Sequence, residues 1–206
     1  FSGCGNIMQI NLESFDTSNV LSMNSMFYGC NNIKSVDLSN FKTDKVTDIG
    51  YMFVSCKTLT DLDLSSFNTK NVWNMAYVFQ KCSNLASVNI STWETSKATT
   101  MQCMFSECEK ITEIDVSHFN TANVTTMRRM FHRCGSLKTL NIDNFNTSKV
   151  MCVPADNTIR TEFVTRKKPV RSAGYNRTDF LNFCGLSKTD IGVFLEHGGC
   201  VWLLHG

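Results

Sequence analysis

Phenylalanine recurs at Phe1, Phe27, Phe53, Phe79, Phe105 and Phe131, each 26 residues after the last. A chain held to a fixed period over most of its length has few folds open to it. Each unit must bury the same face against the same kind of neighbour, and one unit alone is too small to do so. The rest of the unit keeps the register. Cys4, Cys30, Cys56, Cys82, Cys108 and Cys134 follow three residues beyond each Phe, and Ile7, Ile33, Leu59, Leu85, Ile111 and Leu137 three beyond those. Paired aliphatics come next, as at Leu62 and Leu64, then an aromatic (Phe15, Phe41, Phe67, Trp93, Phe119, Phe145) and a threonine two residues on (Thr17, Thr43, Thr69, Thr95, Thr121, Thr147). No insertion breaks the register through Val150 and Val153.

The apolar spacing changes inside each unit. From Val46 through Ile49, Met52, Phe53, Cys56 and Leu59 the steps are three or four residues, the spacing of a short helix or 3-10 segment with one buried face. From Leu59 through Leu62 and Leu64 the pattern is L-x-x-L-x-L, whose last step predicts a short strand with Asp63 turned outward. The threonine of the Phe-x-Thr segment, or the Ser or Asp after it, then caps the next helix. The expected fold is an α/β repeat solenoid, leucine-rich-repeat-like. It has one short parallel β-strand and one short helix or 3-10 segment per 26-residue coil, about six coils over residues 1–153.

The fuller unit, F-x-x-C-x-x-L-x-x-L-D-L-S-x-F-x-T-x-x-V-x-x-M-x-x-M, is carried almost position for position by Phe53, Cys56, Leu59, Leu62, Asp63, Leu64, Ser65, Phe67, Thr69, Val72 and Met75. It resembles the repeat of BspA-like leucine-rich-repeat bacterial surface proteins and of related mycoplasma lipoproteins. The departures are Trp93 for Phe, Ala98 for Val and Ile49 for Met. The resemblance implies an extracellular or cell-surface protein, built from many such repeats and engaged in adhesion. It brings no catalytic residues. The chain opens Phe1-Ser2-Gly3-Cys4 in mid-repeat, as a fragment of a larger protein would.

Ten cysteines invite a metal, redox or disulfide reading, but six stand at one repeat position, with no C-x-x-C pair. On the same face as Met and Phe they read as a buried column of small hydrophobes. Cys103 and Cys152 lie off that column and are expected at the surface. The outward strand positions are polar and acidic: Asn11, Asp37, Asp61, Asp63, Asn89, Glu113, Asp115 and Asn141. In horseshoe repeats this is the usual binding surface, so these are the candidate binding residues. Against that, Asp/Asn-x-Ser reads equally as repeat consensus on a solvated face, and neutral Asn at three of the six central positions weakens a calcium site. The predicted helix side carries Tyr28, Tyr51, Trp73, Tyr77, Gln80 and His132, with Arg128, Arg129 and Arg133 as a small basic spot. Trp73 and Tyr77, four apart, cover a seam between coils or form an exposed patch.

Residues 154–206 leave the pattern: Asp156 and Asn157 stand where Met and Phe are due. A cap, a separate module and a frame-shifted, non-native stretch remain open for this tail. Its basic run over 160–177 is modest. His197, Cys200 and His205 match no known catalytic or metal spacing. A net charge of +2 gives no pull toward nucleic acid, and no run of 18 apolar residues spans a membrane. The sequence points to a non-enzymatic surface binding or adhesion module without cofactor or metal, whose partner is a host or neighbouring-cell protein or glycan. The alternative is a structural spacer displaying another domain.

Overall fold

The computed structural model describes residues 1–150 and the backbone of Ile191–Glu196 and Gly199–Leu204. Successive units lie side by side, each residue facing its counterpart one unit on. Strands are few and short. β1 (Asp61–Asp63) and β2 (Ser87–Asn89) pair in parallel with Leu62 opposite Val88. β3 (Thr139–Leu140) is joined to the unit before it by a parallel bridge from Thr139 to Glu113. β4 (Ile191–Glu196) and β5 (Gly199–Leu204) form an antiparallel pair, and β5 also pairs antiparallel with β3, Thr139 opposite Leu203. A second line of single parallel bridges runs Ser22, Asp48, Asn74, Thr100, Thr126. Beyond these two strands, the readings of the tail 154–206 lie outside the described residues. So do Cys152, the basic run at 160–177 and the side chains of His197, Cys200 and His205.

The α/β repeat solenoid with a helix or 3-10 segment in each coil does not form. No helix occurs among the described residues, and the units beginning at Phe1 and Phe27 hold no strand. The backbone bonds give the reason. Met26, Tyr28 and Cys30 donate three residues back, to Met23, Ser25 and Phe27. Between them Met23, Ser25, Phe27 and Gly29 donate instead to the carbonyls of Asp48, Gly50, Met52 and Val54 in the next unit. Every second N–H thus leaves the unit, whereas a helix keeps its donors within the segment. The same alternation repeats at Ile49, Tyr51, Phe53 and Ser55, and again at Met75, Tyr77, Phe79 and Lys81. The result is a ribbon of linked turns. Turns closing every three residues place side chains inward at the same three-residue step as a helix face, which is why the apolar spacing read as helical.

Left-handed residues enforce the ribbon. Two residues before the repeat Phe stand Ser25, Tyr51, Tyr77, Cys103 and Arg129; two residues after it stand Gly3, Gly29, Ser55, Lys81, Glu107 and Arg133. All have φ between 53° and 77°. A helix cannot run through two left-handed residues in five. Glycine takes this conformation without steric cost, yet it holds the second row only at Gly3 and Gly29.

The core lies between the ribbon and the strand line. Phe1, Phe27, Phe53, Phe79, Phe105 and Phe131 stack in one column, ring centroids 5.2–6.0 Å apart and planes within 20° of parallel. These are offset-stacking distances. Trp93 is buried in place of a Phe, and its indole N–H donates to the Leu64 carbonyl at 3.3 Å. The threonines do not cap helices. Thr17, Thr43, Thr69, Thr95 and Thr121 are buried, and each hydroxyl donates to a carbonyl in the following unit, as Thr95 Oγ1 to Asn120 O at 3.0 Å. Four of them, Thr17, Thr43, Thr95 and Thr121, also accept the N–H of that same residue. Valine has the shape but neither bond, which accounts for Thr here.

Because Lys81 is exposed and left-handed, Lys81→Gly should stabilise the protein. A left-handed non-glycine residue costs about 1–2 kcal/mol, against about 0.5–1 kcal/mol for glycine's greater freedom when unfolded. Lys110→Gly, at an exposed position without positive φ, should destabilise by the latter amount. Chemical denaturation of the two variants checks the pair; destabilisation by both would contradict the left-handed assignment.

Candidate binding faces

All eight residues of the predicted outward face are exposed. Seven of the eight have one side-chain oxygen already engaged. Asn11 Oδ1 accepts the Glu13 N–H at 2.9 Å, and Asp37, Asp63, Asn89, Asp115 and Asn141 accept the N–H of Ser39, Ser65, Ser91, Ser117 and Asp143 at 2.9–3.3 Å. These are Asx turns, in which a short side chain bonds its own backbone two residues on. Either Asp or Asn supplies the oxygen, so the two alternate along the column. Asp61 accepts the Ser87 hydroxyl at 2.6 Å, and Glu113 lies exposed at the bridge to Thr139. Two shallow open depressions lie on this side, one bounded by Asn11, Glu13 and Asp37, the other by Asp61, Asp63 and Asn89.

These bonds stabilise the ionised carboxylates. The backbone N–H of Ser39 and of Ser65 holds Asp37 and Asp63 below the ordinary carboxyl value; at Asp115 the Ser117 hydroxyl does most of it, with the Ser117 N–H second. Among the described residues no three His, Cys, Asp or Glu side chains gather as a metal-binding group.

The cysteine column is buried from Cys30 to Cys134 and carries no disulfide. Each thiol has a specific partner. Cys30, Cys56, Cys82, Cys108 and Cys134 donate to the carbonyls of Phe1, Phe27, Phe53, Phe79 and Phe105 at 3.0–3.2 Å. Each thus ties itself to the aromatic column of the preceding unit. Burial pushes the thiols of Cys82 and Cys134 up to about 12, so they stay protonated and unreactive. Cys103 is not at the surface as its place off the column suggested. It is only 6% exposed and hydrogen-bonded with the Tyr77 side chain, and burial raises its pKa.

The ribbon side differs in kind. The Phe, Cys and Thr columns barely vary because each performs one bonding job. The left-handed row before Phe varies freely: Ser25, Tyr51, Tyr77, Cys103, Arg129. The residues just before it run Asn24, Gly50, Ala76, Gln102, Arg128. Gly50 is there because a Cβ would sit 2.5 Å from the Asn74 amide, itself bonded to Asp48 Oδ1 at 2.9 Å. Tyr51 and Tyr77 stack at 4.6 Å and 10°, and Gln102 Nε2 donates to the Tyr77 hydroxyl at 2.7 Å. Tyr77 therefore pairs with Tyr51 across the seam between units; Trp73, 47% exposed, makes no ring contact among the described residues. Arg128 and Arg129 follow further along the row. The aromatic residues were visible in the sequence. The 26-residue register already set Tyr51 level with Tyr77, but the expected helix paired Tyr77 with Trp73, four residues away, instead.

Two overlapping matches to one family model, described as Mycoplasma protein of unknown function, DUF285, span residues 1–110 and 55–157. The chain belongs to this family. The matched span is the repeat region, so the stacked units above are the DUF285 portion of the chain. No curated relative and no solved structure matches it. No helix among the described residues is long and apolar enough to cross a membrane.

The depressed carboxyls at Asp37, Asp63 and Asp115 give a pH test. Their contribution to stability is present above the unfolded carboxyl value near 4. It is lost as pH falls through the lower folded values. Asn already serves at the equivalent positions, so Asp37→Asn/Asp63→Asn/Asp115→Asn should keep the turns. The thermal midpoint of the wild type should drop more between pH 6 and pH 3 than that of the triple variant. Equal losses would show that the Asx turns do not draw on the charge.

Proposed function

We propose that this chain is a non-enzymatic binding module displayed at a cell surface, and that its ligand meets the ribbon side. The observation carrying this reading is the division of the unit into fixed and variable rows. Phe, Cys, Thr and Asx positions are fixed by their bonds from unit to unit. Variable positions occur on both sides, as at Gln9, Ser35, Asp61, Ser87, Glu113 and Thr139 on the strand side, but on the ribbon they bring together aromatic and basic side chains, the residue types enriched at binding hot spots. On the strand side the Asp and Asn column commits one oxygen per residue to its own turn.

The sequence likeness to BspA-like surface repeats supports an adhesive role and an extracellular location. The buried, protonated thiols remove the feature that most invited a catalytic reading. The alternative, a spacer that displays another domain, draws on the Asx turn that recurs on the strand side in every unit.

The test is retention of the chain on a panel of extracellular-matrix proteins and glycans, followed by surface plasmon resonance. Saturable retention is expected, weakened about tenfold or more by Tyr51→Ser combined with Arg129→Ser. It should be unchanged by Asp37→Asn/Asp63→Asn/Asp115→Asn. No saturable retention would favour the spacer. Loss in the Asn variant alone would return the site to the strand side.

A further inference from the structure

Along the ribbon, beyond Ser25, the outer side chains run from Tyr51 and Tyr77 through Gln102, beside the buried Cys103, to Arg128 and Arg129: aromatic, then amide, then cationic. Tyr51 is a bulky residue in a conformation that costs it energy. One face of its ring lies on Tyr77. On the other side the row steps down to Ser25, whose hydroxyl is turned to Asn24 Oδ1 at 2.7 Å. The outer face of Tyr51 therefore stands uncovered at the edge of a step, and the residue is 37% exposed. A flat apolar surface edged by Asn24 and Ser25 suits the C–H face of a pyranose ring, with hydroxyls left to meet the amide and alcohol groups around it.

Further along, Gln102 bonds the Tyr77 hydroxyl. One unit beyond Gln102 come Arg128 and Arg129. Neither guanidinium has a hydrogen-bond or ion-pair partner among the described residues, and Arg129 is exposed. An unpaired guanidinium fork matches a carboxylate in bidentate geometry. The pitch from unit to unit, about 4.8 Å in parallel pairing, is close to the length of one sugar ring. A short glycan laid along the row would advance about one ring per unit.

We propose that the adjacent ribbon residues Tyr51, Tyr77, Gln102, Arg128 and Arg129 bind a uronate-bearing oligosaccharide, one ring stacked on Tyr51 and a carboxylate held by the arginines. This rests on the ribbon being the binding side. A nucleic acid would need cationic groups along the whole row, and here they stand at one end. A peptide anchor would need an apolar pocket, and the row is a stepped ridge.

Isothermal titration calorimetry on the full chain tests it, with hyaluronan hexasaccharide as the acidic probe and chitohexaose as a neutral probe of equal length. The acidic probe should bind about tenfold or more tightly than the neutral one. Tyr51→Ser should weaken it about tenfold. Ser25 already occupies that row, so the fold accommodates the change. Arg128→Ser/Arg129→Ser should weaken it at least as much, whereas Lys57→Ala/Lys110→Ala, which removes equal charge elsewhere, should not. Equal binding of the two probes, or equal loss in the lysine control, would overturn the proposal. So would absence of hyaluronan binding, whatever ribbon-dependent retention is seen on the wider panel; that retention decides the general reading separately.

Discussion

The N–H groups that leave one unit for the next are what the rest of the structure depends on. Phe27, Phe53, Phe79 and Phe105 all donate to a carbonyl 25 residues further on, at 2.8–2.9 Å. The flanking left-handed residues turn alternate peptides so that this direction stays open. No unit holds its own backbone bonds as a helix would, so none is a stable element alone, and the stack carries the cooperativity that a helix would otherwise carry inside the coil. The side-chain columns reinforce the same axis. Phe rings stack along it, Thr hydroxyls clamp the backbone of the next unit, and Cys thiols reach back to the Phe carbonyl of the one before.

That arrangement separates residues bound by the repeat from residues free to vary. A change at Thr95 would remove the bonds it makes to both the N–H and the carbonyl of Asn120 in the next unit. A change at Tyr51 or Arg129 breaks no hydrogen bond between units, and at Tyr51 it removes only the ring stack on Tyr77. Function that distinguishes one such chain from another has to be written where the stack does not dictate the residue, and the ribbon row before Phe is such a place.

The sequence disclosed part of this. The 26-residue register, the buried Phe and Cys columns and the outward turn of Asp63 follow from spacing alone. The helix did not survive, because turns closing every three residues and a helix face bury side chains at nearly the same step. Gly3 and Gly29 at one repeat position were the available sign of left-handed backbone. The non-glycine residues that follow them at Ser55, Lys81, Glu107 and Arg133 concealed it. The Asp/Asn alternation on the strand side was legible as consensus, but its cause, an acceptor for the N–H two residues on, needed the backbone geometry. Cys103 misled because its row is exterior in general and covered at that one place. The Tyr51–Tyr77 stack could not be read from residues four apart, since the contact joins residues 26 apart.

The most direct test of the ribbon is the hydrogen-bond partner of the Phe79 amide. Scalar coupling across hydrogen bonds, measured by NMR on the isotope-labelled chain, links an amide nitrogen to the carbonyl carbon that accepts its proton. The structure predicts a correlation from Phe79 nitrogen to the carbonyl of Met104, with matching ones from Phe53 to Val78 and Phe105 to Met130. A correlation from Phe79 to the carbonyl of Met75, four residues back, would mean the segment is helical after all and would contradict the account.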